Sequence, residues 1–234
     1  MPDPRAELIA TARAMRSAAL NRGTAGNLSL RCGEAFYITP TGLAYDSLQA
    51  EDIPVMTLDG SHQGRRKPSS ECRFHRDLYA SRPEVGAVLH AHSPFAVSLA
   101  CLRQDIPPFH YMIARFGGDT IRCAEYAIFG SPALSAAALA AMRDRKGCLL
   151  ANHGLLVAGR DLAEAFALAV ELEELCEQYW RTCQLGRPVL LSSAEMAAVL
   201  EEFRHYGQQA AVVAPGQDGT AQDNSCRSRS MRAM

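Results

Sequence analysis

The chain has 234 residues, 48% of them hydrophobic, and a formal net charge of −1. That length suits one sizeable domain or a domain with a tail, and the near-neutral balance gives no general case for nucleic acid or an anionic membrane as partner. No run approaches the ~20 apolar residues of a membrane span, and the eight cysteines are scattered without a C-x-x-C pair, as suits a reducing compartment.

Asp3, Arg5, Glu7, Arg13 and Arg16 interrupt the N-terminal segment, so no secretory signal is expected and the reading is of a soluble cytoplasmic protein. Asp3 caps a helix with Pro4 at its first position. Leu8, Ile9, Ala12, Met15 and Ala19 recur at helical spacing, and Gly23 is the expected stop. The small turn Gly23–Asn27 leads into a strand, Leu28–Arg31, with Phe36–Ile38 as its hairpin partner. Thr39–Gly42 is a second polar turn, and Val55–Leu58 is a further strand. Residues 60–68 read as a surface loop.

Pro68-Ser69-Ser70-Glu71 opens a helix to about Ser81, and an apolar strand, Ala87–His92, follows. Ser93-Pro94 starts a short helix through Val97, Leu99 and Leu102. Residues 105–130 read as irregular, and a helix capped at Ser131-Pro132 runs to about Arg145. Cys148–Gly154 reads as a strand turning at Gly154, with Leu155–Val157 as its continuation. Asp161 and Glu164 form a capping box for the longest helix. Ser193 opens the last helix, to Tyr206-Gly207. Residues 213–234 are Pro-, Gly-, Ser- and Gln-rich and are expected to be a disordered tail behind a domain of residues 1–212. Strands and helices intermix without strict βαβ alternation, which predicts a mixed or antiparallel sheet covered by helices.

Within Ala87–His92, His90 and His92 stand at i and i+2. In a strand both point to one face, roughly 7 Å apart along it, and two imidazoles so placed can share a metal ion. A catalytic metal site commonly takes three protein ligands and keeps a position open. His153, beside Gly154, and Glu71, at a helix start, are further ligand candidates. Each has a plain structural reading: a histidine at a glycine turn is often only hydrogen-bonded, and a glutamate at a helix start meets the helix dipole favourably. His75, four residues after Glu71, shares its helix face and stays in consideration; His62, His110 and His205 lie in polar or irregular segments.

Three small turns, Gly26-Asn27, Thr41-Gly42 and Ser69-Ser70, offer backbone N–H groups and hydroxyls suited to an anion. Ordinary turn and cap chemistry explains most such clusters taken singly. Here the third adjoins Glu71.

Together, Gly23-Thr24-Ala25-Gly26-Asn27-Leu28-Ser29, Ile38-Thr39-Pro40-Thr41-Gly42, Pro68-Ser69-Ser70-Glu71, His90-Ala91-His92 and Asn152-His153-Gly154 resemble the class II aldolase family. Phe109–Ile113 and Tyr126–Gly130 add to the likeness, which runs from about residue 5 to residue 207. The resemblance implies a three-layer α/β/α sandwich with a central mixed, mostly antiparallel sheet, a zinc ion, and a homotetramer with active sites between subunits. It implies zinc ligands at Glu71, His90, His92 and His153, and a substrate phosphate site at Gly26, Asn27, Thr41, Gly42, Ser69 and Ser70. It implies Tyr111 as proton donor, reaching in from a neighbouring subunit, and an aldehyde pocket at Phe129, Phe203 and Tyr206.

The implied reaction is reversible cleavage of a ketose 1-phosphate, with L-fuculose 1-phosphate the expected substrate, into dihydroxyacetone phosphate and L-lactaldehyde. A metal ion can hold the enediolate charge without a Schiff-base lysine, and Lys67 and Lys146, the chain's two lysines, both lie in polar, basic segments. Glu71 is the expected base. The sister sugar-phosphate 4-epimerases carry a different segment where His110-Tyr111-Met112 stands. The remaining readings are an aldolase for another deoxyketose phosphate, a decarboxylase or dehydratase of the same fold, and a non-catalytic adducin-head-like domain; the four ligand positions, all present, speak against the last.

Overall fold

The computed structural model describes residues 3–205. Tyr206 and the expected tail, 213–234, lie outside the described residues. Helix α1 (Pro4–Ser17) begins as its sequence dictates, the Asp3 carboxylate accepting from the Arg5 N–H at 2.9 Å, and buries Leu8, Ile9, Ala12 and Met15. It stops well before Gly23. Ala19, expected on the buried stripe, is exposed in a left-handed conformation (φ 58°), and the reversal there turns Leu20 back into the core.

Eight strands form one sheet: β1 (Asn27–Cys32), β2 (Ala35–Ile38), β3 (Val55–Thr57), β4 (His62–Gln63), β5 (Ala87–Ala91), β6 (Cys123–Ala124), β7 (Gly147–Leu150) and β8 (Gly154–Gly159). Their order is β4-β3-β2-β1-β5-β8-β7-β6. Every pairing is antiparallel except β6 with β7. The sheet is mixed and mostly antiparallel, as expected. The short strands β4 and β6 fall in segments read as loop and irregular; two residues are too few to carry a period-2 signal. The stretch Cys148–Val157 is not one strand with a continuation. It is the β7–β8 hairpin, reversed at residues 151–153, because Asn152 adopts a left-handed conformation (φ 53°).

Helices α2 (Cys72–Ser81) and α4 (Pro132–Ala141) cover one face of the sheet, over Phe36, Ile38, Val88, Cys148, Leu150 and Leu156. Helices α3 (Pro94–Ala100), α5 (Leu162–Leu185) and α6 (Ser193–His205) join α1 on the other face, where Leu28, Leu89, Leu155 and Val157 point. Three layers result, with a core on each side of the sheet. All five residues of β5 are buried, so it reads as a continuous apolar run, as a strand covered on both faces does. The cap of α5 differs slightly from a standard box: the Glu164 N–H donates to Asp161, while Glu164 accepts from the backbone of Arg160, one residue earlier. Seven cysteines among the described residues are free thiols. No described helix is long and apolar enough to cross a membrane.

Candidate active site

Alternation along β5 sends Val88 into the core beneath α2 and α4, and His90 follows on the same face, its ring edge-on to Phe74 of α2. His92 falls just past the strand end. Across the β5–β8 ladder Ala91 pairs with Leu155, so the turn before β8 lies against the end of β5 and delivers His153 beside His92. That approach is close: a Cβ on Gly154 would stand 2.3 Å from the Ala91 carbonyl oxygen, so no other residue fits there without moving backbone. Glu71 occupies the N-cap position of α2, one residue before the first turn where it was expected.

The four residues converge. Glu71 Oε2 lies 3.3 Å from His90 Nε2, Glu71 Oε1 lies 3.1 Å from His153 Nε2, and the Nε2 atoms of His90 and His92 are 2.9 Å apart. All four potential ligand atoms lie within 4.8 Å of one another. The His90 Nδ1–H donates to the Leu155 carbonyl at 2.8 Å, which leaves the Nε2 lone pair facing His92. Glu71 Oε1 is buried with no hydrogen-bond partner. A buried carboxylate oxygen without a hydrogen-bond partner, crowded by three imidazoles, is costly unless a cation lies among them. Three imidazoles and one carboxylate suit a divalent first-row ion, with room for substrate oxygens.

Burial raises the Glu71 pKa, but His90 and His153 outweigh it and hold the carboxyl well below the usual range. Burial, with His90 and His153 beside it, pushes His92 down to about 4. Neutral imidazole is the form that binds metal.

His75 does not join this cluster. It is fully buried, and burial with His90 nearby pushes it down to about 3. It meets Asn27 Oδ1 at 2.5 Å and Ser29 Oγ at 2.7 Å.

Glu71, His92 and His153 floor a cavity of about 380 Å³, with His90 buried behind them, and its walls include Gly26, Asn27, Thr41, Gly42, Ser69 and Ser70. Two backbone bonds tie the second and third turns together, Thr41 N–H to Lys67 O at 3.2 Å and Ser69 N–H to Thr39 O at 3.1 Å. Ser69 is buried, and its hydroxyl accepts from the Glu71 N–H at 3.2 Å. Ser70 is exposed on the cavity side, at the mouth of α2. One small chamber therefore pairs a cation site with N–H groups and hydroxyls at a helix start, an arrangement for an anionic substrate.

Residues 6–180 match the family described as Class II Aldolase and Adducin N-terminal domain. The chain belongs to this family. It is 52% identical over 208 residues to the 5-methylthioribulose-1-phosphate/5-deoxyribulose-1-phosphate aldolase of Rhodospirillum rubrum, covering 89% of this chain and 94% of that protein. It is 42% identical over 202 residues to the L-fuculose phosphate aldolase of Escherichia coli strain K12, covering 86% and 94%. A solved L-fuculose 1-phosphate aldolase superposes with a TM-score of 0.84 at 38% identity, covering 87% of this chain and 97% of that one.

A class II aldolase is a carbon–carbon lyase for sugar phosphates, and the remaining expected site residues of this one divide in two groups. Phe129 lines the cavity and is exposed. Tyr111 and Phe203 do not line it. Tyr111 opens a 3-10 segment, Tyr111–Phe116, with its side chain half exposed. Phe203 packs against that side of the molecule and borders a separate cleft with Met112 and Arg115.

Tyr126 and Asn152 also line the aldolase's cavity; both fall in motifs that carry the resemblance, but neither was given a role from the sequence. Arg103 joins them, its Nε donating to Asn152 Oδ1 at 2.6 Å and its guanidinium lying 5.2 Å from the centre of the Tyr126 ring. Glu173 on α5 was given none either. It accepts from the Ser93 hydroxyl at 2.6 Å and from the Phe95 and Ala96 N–H groups at 2.8 Å, capping α3 directly after His92.

Proposed function

We propose that this class II aldolase is zinc-dependent and reversibly cleaves a 5-deoxypentulose 1-phosphate, carrying hydrogen or a methylthio group at C5, into dihydroxyacetone phosphate and a two-carbon aldehyde. The observation that carries the chemistry is the convergence of Glu71, His90, His92 and His153, three of which (Glu71, His92 and His153) floor a chamber walled by the three anion-suited turns. The substrate rests on the 52% identity to an aldolase named for 5-methylthioribulose and 5-deoxyribulose 1-phosphates. L-Fuculose 1-phosphate, giving L-lactaldehyde, is the second reading, supported by the 42% identity to a fuculose phosphate aldolase.

Retro-aldol cleavage breaks the C3–C4 bond and leaves an enediolate on the three-carbon fragment. A bound zinc ion, held by Glu71 and the three histidines, supplies Lewis-acid stabilisation of that charge. The chain's own groups do the rest. Gly26, Asn27, Thr41, Gly42, Ser69 and Ser70 hold the phosphate. In the synthesis direction Glu71 removes the proton from C3 of dihydroxyacetone phosphate, and burial strengthens it as a base once its histidine partners are engaged elsewhere. Tyr111 from a neighbouring subunit of a homotetramer gives its proton to the aldehyde oxygen, and in cleavage takes it back. Such an assembly accounts for Tyr111 and Phe203 standing outside the chain's own cavity. Phe129, Phe203 and Tyr206 shape the aldehyde end. The setting is cytoplasmic.

A product assay tests this reading with 5-deoxyribulose, 5-methylthioribulose and L-fuculose 1-phosphates, with and without a chelator. The expected result is dihydroxyacetone phosphate from the first two at higher kcat/KM than from the third, abolished by chelation and restored by zinc. Preference for L-fuculose 1-phosphate would select the second reading, and chelator-insensitive cleavage would remove the metal role.

A further inference from the structure

We propose that His75 is a positioning residue of this active site: through the side-chain amide of Asn27 it sets the orientation of the Glu71 carboxylate. The inference rests on the metal-dependent reading above and adds a residue to it.

The hydrogen bonds run in one sense only. Asn27 Nδ2 donates to Glu71 Oε2 at 2.9 Å, so Asn27 Oδ1 faces His75 Nε2, 2.5 Å away. An amide oxygen carries no proton, so the imidazole must be protonated at Nε2. Its Nδ1 is then a bare acceptor, and the Ser29 hydroxyl, 2.7 Å off, must donate to it. The Tyr79 hydroxyl, 2.8 Å from Ser29 Oγ, completes the series by donating to Ser29. Tyr79, Ser29, His75 and Asn27 are all buried, and Phe74 stacks on the His75 ring with centroids 4.8 Å apart.

The consequence falls on Glu71. Without a donor at position 75 the Asn27 amide is free to turn over and present its oxygen to the carboxylate, acceptor against acceptor. A position needing only volume is filled at lower cost by an apolar side chain, since an imidazole in a dry core costs desolvation at both nitrogens. His75 sits one helical turn after Glu71, lines no part of the cavity and is not one of the four clustered ligands; its hydrogen-bonded route to Glu71 runs through Asn27.

The test is a cobalt titration of three full-length proteins, followed by absorption of the bound ion, with thermal melting as a check of fold. Gln at position 75 presents one donor and one acceptor, as the neutral ring does. His75→Gln should bind Co²⁺ within about threefold of the unmodified protein, while His75→Leu should bind roughly 10–100-fold more weakly, the range for lost partners of metal ligands. Equal affinity in Gln and Leu variants, whether both unchanged or both weakened, would overturn the proposal and leave His75 a packing residue. Imidazole ¹⁵N shifts of the unmodified protein give a second readout that does not need the Leu variant to fold: Nε2 protonated and Nδ1 bare is expected, and the reverse tautomer overturns it. An unmodified protein that took up no cobalt would overturn the metal reading itself, a result separate from equal binding by all three.

Discussion

Asn27 and His90 are partners across the β1–β5 ladder, on the face beneath α2. One rung thus carries both a wall residue of the cavity and a residue of the Glu71–histidine cluster. Their separation is fixed by the ladder rather than by a loop, and a one-residue slip of β1 would turn Asn27 to the opposite face.

Base and acid are separable by experiment. On the proposed mechanism, exchange of the C3 proton of dihydroxyacetone phosphate with solvent requires the metal and Glu71 but no aldehyde. Glu71→Gln is expected to abolish both exchange and cleavage. Tyr111→Phe should keep exchange while cleavage falls roughly 10²–10⁴-fold, the range for one general acid–base group. Both variants are first assayed for zinc. Equal loss of exchange and cleavage in Tyr111→Phe, with metal and assembly intact, would refute this division of labour.

The two serines at the mouth of α2 should behave differently. Ser70 is exposed to the cavity, whereas the Ser69 hydroxyl is engaged by the Glu71 N–H. Ser70→Ala is expected to raise KM for the phosphorylated substrate by an amount equivalent to about 1–2 kcal/mol, with melting temperature unchanged. Equal turnover of the unphosphorylated sugar would speak against the phosphate site.

Gly154 is predicted to tolerate no side chain. A Cβ there meets the Ala91 carbonyl at 2.3 Å and the His92 ring at 3.2 Å, and the first contact is with backbone inside the ladder. Gly154→Ala should destabilise the fold by about 2 kcal/mol or more, in the range of overpacked cores, and should lower metal stoichiometry by displacing His92. Denaturant unfolding and metal analysis at equal protein concentration check both; unchanged values would show that the turn can relax.

Away from the site, Asp52 is a pH-dependent anchor. Hydrogen bonds from Arg65 at 2.6 Å and Arg66 at 2.9 Å pull the pKa of this buried carboxyl down to about 2. A depressed pKa stabilises the folded state above the unfolded value near 4 and is lost as pH falls through about 2. Both arginines are largely exposed, so screening limits the gain to about 1–2 kcal/mol. Asp52→Asn should cost that much at pH 7, with the gap to the parent narrowing between pH 4 and pH 2 in urea titrations. A gap that stayed constant over that range would exclude the linkage.

Much of the site was legible because its residues sit in short local patterns. His90 and His92 stand two apart, Ser69, Ser70 and Glu71 are consecutive at a helix start, and Asp3 and Asp161 mark helix caps by local chemistry alone. The role of His75 was not legible. Its position on the face of Glu71 suited a ligand and a core residue equally, and only the arrival of Asn27 and Ser29 on β1 decides between them. Glu173 and Arg103 left no signal, since their partners lie 80 and 49 residues away in the chain.

Taken alone, the amino-acid order determined what alternation, capping and turn chemistry reach within a few residues: the helices, the central strands, the paired histidines and the three small turns. The tertiary structure decided what depends on pairing between distant segments. The hairpin at residues 151–153 bends back where a continuing strand was expected, and so brings His153 to His92. Strands β4 and β6 exist only because a neighbouring strand supplies their hydrogen bonds. Local energies select a residue's conformation, but a partner's position is set by the packing of the whole sheet, which no window of the sequence contains.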